Sequence, residues 1–457
     1  MKNFSHYLFI AVGLAAVGIL MFFLPNLQLR NIQYWSYLAI IAALILAYVF
    51  RQKIWWLVII APPTLVLGQF VTFKLSRGWS YEASLAELLL ALALIIVLFQ
   101  KDWRQKLWQK IKSNGFAKVY IVYLLISAAT ISYQIFDMHF FIGMNKIIFF
   151  SLVAYLLSLV LFDNFKKVGN FITSLAVTAI LLSVQIFIRF WQIGFSSKLF
   201  FERSQLVLPF GPIAVVAAAL ALILPILVAY YLSDGVKSRA KPIIFVGVCL
   251  SLLAVFLILG KAAIISLILG FIYLFIKLNN KRVGIILFII LFIIICFIIF
   301  TPFFTGLLER FGNFFSDINV QSRVIEYHLS WQLFQDHYLL GIGSGQQPAY
   351  FGRVLNYQYA ESSGYSLLQA MAIDLGLPGL IILITMIFLT VKEAFRLLWS
   401  PLPKNNFYIH GFIAALIVAL ANGFMAEATI YVLTYALIFW PIMGIFFNLK
   451  ESAANKN

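Results

Sequence analysis

Charge and thiols are scarce in this chain of 457 residues. Only 11% of positions are Asp, Glu, Lys or Arg, against 63% hydrophobic residues and a mean hydropathy of +0.99. That balance excludes a soluble globular domain and defines an integral membrane protein. Cysteine occurs twice, at Cys249 and Cys296, each inside an apolar run. A thiol in that setting is a small hydrophobe, so neither a disulfide framework nor a metal site follows. The alternating ten-residue pattern of an outer-membrane barrel is missing. So is any internal repeat, which counts against the usual build of a secondary transporter.

Helical spans are what remains. Apolar runs of roughly 17 to 20 residues, enough to cross about 30 Å of hydrocarbon, recur from end to end. The first, Tyr7 to Leu24, has the charged start of a signal peptide but reaches Pro25 and Asn26 without a small-x-small cleavage site, so it is expected to be the first span. The others are Tyr34 to Phe50, Ile54 to Phe73, Ala83 to Phe99, Val119 to Phe136, Ile147 to Phe162, Phe171 to Ile188, Ile213 to Leu232, Pro242 to Leu259, Ala262 to Ile276, Val283 to Phe300, Ile373 to Val391, Tyr408 to Ala421 and Ile430 to Phe447. The expected fold is an all-α polytopic membrane protein with about 12 to 14 transmembrane helices and one long external loop. Its expected parts are N-terminal helices over 1–195, a catalytic region over 196–447 that includes the loop 301–365, and a cytoplasmic tail over 448–457.

The formal net charge is +17, and its distribution gives the orientation. Of the 33 Lys and Arg residues, 22 fall on one side once both termini are included, among them the run Lys101, Arg104, Lys106, Lys110, Lys112 and Lys118. Cationic loops resist export, so that side and both termini are expected to be cytoplasmic, in the cytoplasmic membrane. The basic balance is therefore a topology signal with attraction to anionic lipid, and no nucleic-acid partner is expected. In "KDWRQKLWQKIKSNG", Trp103, Leu107, Trp108 and Ile111 share a helical face, as in a helix lying in the interface.

The opposite side carries the remaining cations, and there intramembrane or interfacial charge marks function most often. Arg30, Lys74, Arg77, Lys146, Arg189, Lys198 and Arg353 are expected to snorkel to headgroups. Four others sit in passages that break the apolar rhythm: Arg203 in "SSKLFFERSQLVLPFGP", Lys261 in the tight turn of "LILGKAA", and Arg310 and Arg323 in the long loop. Glu87 and Glu427 are expected to pair structurally. In "SRVIEYHLSWQLFQDHYLLGIGSGQ", Val324, Tyr327, His328, Trp331 and Phe334 form one face of a short helix that can lie against the membrane core. Gly341, Gly343 and Gly345 then make either a plain turn or one whose amides approach a phosphate or sugar.

The order of these elements resembles the O-antigen ligase and polymerase family over roughly Arg203 to Val391. The matching residues are Arg203 ahead of Gly211 and Pro212, Gly260-Lys261-Ala262 where the family usually has Ser-Arg-Gly, Arg323 with Trp331, "GIGSG" from Gly341 to Gly345, and "DLGLPGL" from Asp374 to Leu380 as the return into the membrane. The resemblance implies a GT-C-like fold and transfer of sugar chains from undecaprenyl diphosphate on the outer face, without metal or nucleotide cofactor. It also implies membrane lipids as surroundings, and a chain-length regulator and flippase of the same pathway as partners.

A diphosphate leaving group gathers negative charge, and guanidinium forks match its oxygens. Arg203 and Arg323 are thus the expected diphosphate clamp, with Lys261 as a third cation and Arg310 as a weaker one. Family ligases usually carry a His-Asn pair where this chain has "YAESSGYSLLQ", Tyr359 to Gln369. Glu361 is the nearest proton acceptor there and His328 the alternative. Trp331, Tyr327 and Tyr365 are the aromatics expected to stack on a sugar. The lost His-Asn pair favours a polymerase over a ligase.

Overall fold

The computed structural model describes residues 53–74, 80–132, 137–193, 207–233, 240–258, 260–278, 318–353, 366–400, 407–425 and 432–454. The expected spans Tyr7 to Leu24, Tyr34 to Phe50 and Val283 to Phe300 lie outside these residues. Within them the protein is an all-α polytopic membrane protein. Helices dominate because lipid offers no partner to backbone N–H and C=O groups, which a helix satisfies internally.

The helices, numbered in chain order, are α1 (Trp55–Thr64), α2 (Leu85–Phe99), α3 (Lys101–Ser113), α4 (Gly115–Ala129), α5 (Met138–Leu161), α6 (Phe165–Ile193), α7 (Ile213–Tyr231), α8 (Lys241–Ile258), α9 (Lys261–Leu278), α10 (Ile318–Asp336), α11 (Gln347–Arg353), α12 (Leu367–Leu398), α13 (Phe407–Met425) and α14 (Leu433–Ala454). Among the described residues nine of them are long and apolar enough to cross a membrane: α4 to α9 and α12 to α14. At the centre stands α7, with 94% of its most apolar window buried. Its run "AVVAAALALILP" carries no charge, and its small residues let neighbours approach closely. Around it pack α6, α8, α9 and α13, while α14 lies along α5.

Two expected spans differ in instructive ways. Ile54 to Phe73 is not one span: α1 stops at Thr64, and after Gly68 the chain forms a strand, β1 (Gln69–Lys74), paired antiparallel with β2 (Ser80–Ser84). Ser84 then opens α2 with a capping box, its Oγ accepting from Glu87 N–H while the Glu87 carboxylate accepts from Ser84 N–H at 2.6 Å. By contrast, the short Tyr408 to Ala421 run is a full helix of 19 residues.

The start expected at Ile147 comes earlier, at Met138, because the polar residues of that stretch find partners. Asp137 caps α5 through His139 N–H at 2.8 Å, and Lys146 Nζ lies 3.0 Å from Glu87 Oε1, so Lys146 does not snorkel. Glu87 is 1% exposed, and the structural pairing expected of it is present.

On the face expected to be basic, α3 presses Leu107 against the bundle and Lys110 Nζ donates to Asn448 Oδ1 at 2.6 Å. Trp108, grouped with Leu107 by phase, is 56% exposed instead.

Candidate functional site: a broken span and the loop that completes it

Gly376 (φ 62°) interrupts α12, and Pro378 follows it. A regular helix would direct the N–H groups of residues 377 and 378 to the carbonyls of Ile373 and Asp374. Pro378 has no N–H, and Leu377 N–H turns instead to Tyr338 O at 2.8 Å. The orphaned carbonyls are taken up by the loop: Ile342 N–H donates to Ile373 O at 2.8 Å and Gly343 N–H to Asp374 O at 3.0 Å. Gly341 (φ 71°) allows this approach, because a Cβ there would collide with the backbone of Asp374.

The remaining amides of the glycine turn are occupied as well. Gly341 N–H donates to His337 O at 2.8 Å, Ser344 N–H to Thr130 Oγ1 at 3.1 Å, Gly345 N–H to Asp374 Oδ2 at 2.9 Å and Gln346 N–H to Gly343 O at 3.1 Å. Residues 341–346 are all buried. The reading in which these amides approach a phosphate is therefore overturned, since each already has a protein acceptor. Instead the turn is seated on α4 and α5. Ser127 Oγ lies 2.6 Å from Ser344 Oγ and 3.0 Å from Asn145 Oδ1, and the Gln346 carboxamide bonds both the N–H and the C=O of Asp137, at 2.7 and 3.0 Å.

Helix α10 packs on this seat through Leu333, which joins Ile342, Phe351 and Ile373 in a small apolar cluster. Glu326, Ser330 and Leu333 form its inner face, at 2%, 3% and 3% exposure. The face expected to lie against the membrane core is turned away from the bundle: Val324, Tyr327 and Trp331 are 51%, 45% and 60% exposed. His328 is exposed too. Glu326 is the acidic group that the sequence reading missed. Its signal was the phase of Leu329 and Leu333, three and seven residues on, which brings it to the same side of the helix.

Of the expected site residues, Arg323 lies near the start of α10, one turn before Glu326, and Lys261 is the first residue of α9. The turn ahead of Lys261 reaches the central helix, where a Cβ on Gly260 would sit 3.4 Å from Ala217 Cβ of α7. Just before α7, Val207–Leu208 pairs with Gly211–Pro212, and Phe210 O accepts from Thr434 Oγ1 at 2.6 Å. So the glycine-proline turn and the Lys261 turn both adjoin the same end of α7. Arg203, Arg310, Glu361 and Tyr365 lie outside the described residues.

Among the described residues the chain is thus a polytopic membrane protein in which a broken span is completed by a buried polar turn. Residues 246–384 match the family model described as O-Antigen ligase. That stretch runs from within α8 to within α12 and contains Lys261, Arg323, the glycine turn and Asp374, though not Arg203. The match supports an O-antigen ligase or polymerase type of function in general and points to glycosyltransferase-like chemistry, and that family implies a lipid-linked oligosaccharide as substrate class. Comparison with curated proteins finds no match.

Proposed function

We propose that the protein is a surface-polysaccharide polymerase. A glycan chain leaves undecaprenyl diphosphate and joins a sugar hydroxyl of a lipid-linked repeat unit, at the outer face of the cytoplasmic membrane with both termini inside. The supporting observation is the family match over residues 246–384, a stretch that holds Lys261, Arg310 and Arg323, three of the four proposed cations, and the turn that completes α12. In the transfer the acceptor oxygen attacks the anomeric carbon on the face opposite the diphosphate. The carbon–oxygen bond to the diphosphate breaks, and the diphosphate departs with the electron pair. The acceptor proton passes to a carboxylate, assigned to Glu361.

Arg203, Arg323 and Lys261, with Arg310 as a further cation, stabilise the charge that gathers on the departing diphosphate. Charged donors of this kind act most strongly where water is excluded. Such a mechanism inverts the sugar carbon and uses no metal.

The second reading is a ligase that hands the finished chain to a lipid, protein or wall acceptor, and the description of the matched family favours it. Against it stands the absence of histidine in Tyr359 to Gln369.

Purified protein in detergent, given lipid-linked repeat units and no ion gradient, is expected to lengthen the glycan. Arg203→Ala and Arg323→Ala are each expected to slow the reaction by about 10²–10³-fold, the scale of losing one transition-state donor. Unchanged substrate with a monodisperse wild-type preparation would refute polymerisation. Transfer to an added core acceptor instead would establish the ligase.

A further inference from the structure

The outward side of α10 is divided lengthwise. At about 100° per residue, Phe334, Tyr327, Trp331 and Val324 fall within a sector of roughly 80° on one flank. On the other flank lie Gln335, His328, Gln332 and Asp336, all exposed, with Ile325 as the single apolar residue among them. The inner face is Glu326, Ser330 and Leu333. A helix wholly in water has no use for an exposed aromatic flank, and one wholly in lipid has none for the polar flank. This division suits a helix lying along a membrane–water boundary, where Trp and Tyr concentrate.

The position of the helix agrees. From Leu377 to Leu398 the lower part of α12 has roughly 22 residues, about 33 Å of helix, which by itself crosses a bilayer core. The break at Gly376 therefore stands at one membrane boundary, and exposed Trp399 stands at the other, beside Arg396. Tyr338, whose carbonyl bonds Leu377 N–H at that break, is followed by Leu339 and Leu340, which are 59% and 55% exposed. They lead from the end of α10 to the lipid-facing side of α12, where Leu377, Ile381, Ile384 and Phe388 are 40%, 62%, 61% and 63% exposed.

We infer that α10 is a membrane-surface helix: its aromatic flank, Val324, Tyr327 and Trp331, rests in the upper acyl chains of the adjoining leaflet, continuous through Leu339 and Leu340 with the lipid-facing side of α12. Arg323 is thereby held at headgroup depth whatever reaction it serves, so the inference does not depend on the proposed function.

The experiment replaces both native cysteines and places single cysteines at 327, 331, 328 and 335, each carrying an NBD fluorophore, with the protein in nanodiscs. With lipids bearing a nitroxide high on the acyl chain, quenching at 327 and 331 is expected to exceed that at 328 and 335 by several-fold. Equal quenching at all four positions, or the reverse order, would overturn the inference. A further outcome also overturns it: 327 and 331 stay unquenched by lipid but become shielded when lipid-linked oligosaccharide is added, which gives the flank to a sugar. A measurement on the unsubstituted chain guards against misfolded variants. Photoactivated diazirine-acyl lipid is expected to mark Tyr327, Trp331, Leu339 and Leu340 together with Ile384 and Phe388. Marking of α12 alone would refute the assignment.

Discussion

The ion pair between Lys146 of α5 and Glu87 of α2 is the best lever on how the loop end of the bundle is held. Lys146 Nζ stands 3.0 Å from Glu87 Oε1, with the side chains 12% and 1% exposed. Removing one partner from a buried pair costs about 3–5 kcal/mol, because the other charge stays behind without compensation. The two single variants are not equivalent. Lys146→Met leaves a carboxylate that still accepts from Ser84 N–H at 2.6 Å and Ser84 Oγ at 3.0 Å, so its cost is expected near the low end, about 3 kcal/mol. Glu87→Gln keeps a capping acceptor and leaves an ammonium with some access to the surface, for about 2 kcal/mol. The double variant removes both charges and keeps the cap, so it is expected to cost about 2 kcal/mol, no more than the milder single change, giving a coupling of about 3 kcal/mol. Unfolding titrated with SDS in mixed micelles, followed by Trp fluorescence, reads all four proteins. Additivity, with the double variant about 5 kcal/mol below wild type, would show that the two groups do not act as a pair.

Gly376→Ala places a side chain where φ is +62° and where its Cβ would meet Tyr338 O at 2.5 Å and Gly341 N at 2.8 Å. At least about 2 kcal/mol of destabilisation is expected, with faster protease cleavage within residues 337–346; wild-type resistance would contradict the splinting role of the turn. At the other end of the bundle, Asp163 bonds Lys167 Nζ at 2.8 Å and Lys106 Nζ at 3.3 Å. Burial alone would raise its pKa, but the two ammonium groups outweigh it and hold the carboxyl below its ordinary value. A folded-state pKa lower than the unfolded one gives stabilisation that is complete above the ordinary carboxylate range and disappears as pH falls through the lowered value. Asp163→Asn should therefore lower the unfolding midpoint at pH 7 and flatten its decline below about pH 4; an unchanged acid limb would count against the pairing.

Most of the spans were legible because hydropathy reports directly on lipid exposure, and misjudged ends, such as the start expected at Ile147 and found at Met138, reflect caps such as Asp137 rather than composition. The β1–β2 hairpin was not legible. Phe70, Val71 and Phe73 continue the apolar run of α1, so the expected span was carried past the turn at Gly68 although Gln69 and Thr72 interrupt it. Lys146 was misread for a related reason, since the sequence displays the cation but not the Glu87 that lies beside it after folding. The aromatic face of α10 was legible from phase, since Val324, Tyr327 and Trp331 stand exposed together, whereas His328, grouped with them, falls on the polar flank. At a membrane boundary an aromatic flank has a solvent of its own, and the protein-facing side can hold Glu326 and Ser330. The glycine turn was legible as a turn, but its distant acceptors are Thr130, just past α4, and residues of α12, separated from it in sequence by more than 200 and about 30 residues in turn. The two cations proposed for the diphosphate that lie among the described residues, Lys261 and Arg323, were singled out by their break in the apolar rhythm. How far they stand from each other is a matter of chain path, which periodicity does not encode.

The gap at Gly376 also bears on biogenesis. Until the preceding loop has folded back, the carbonyls of Ile373 and Asp374 have no donor from their own helix, and at the membrane boundary water or headgroups must serve them. A nascent α12 leaving the insertion machinery alone would carry a frayed end. The segment upstream must be delivered first, so that the last three spans lock in around a splint already in position.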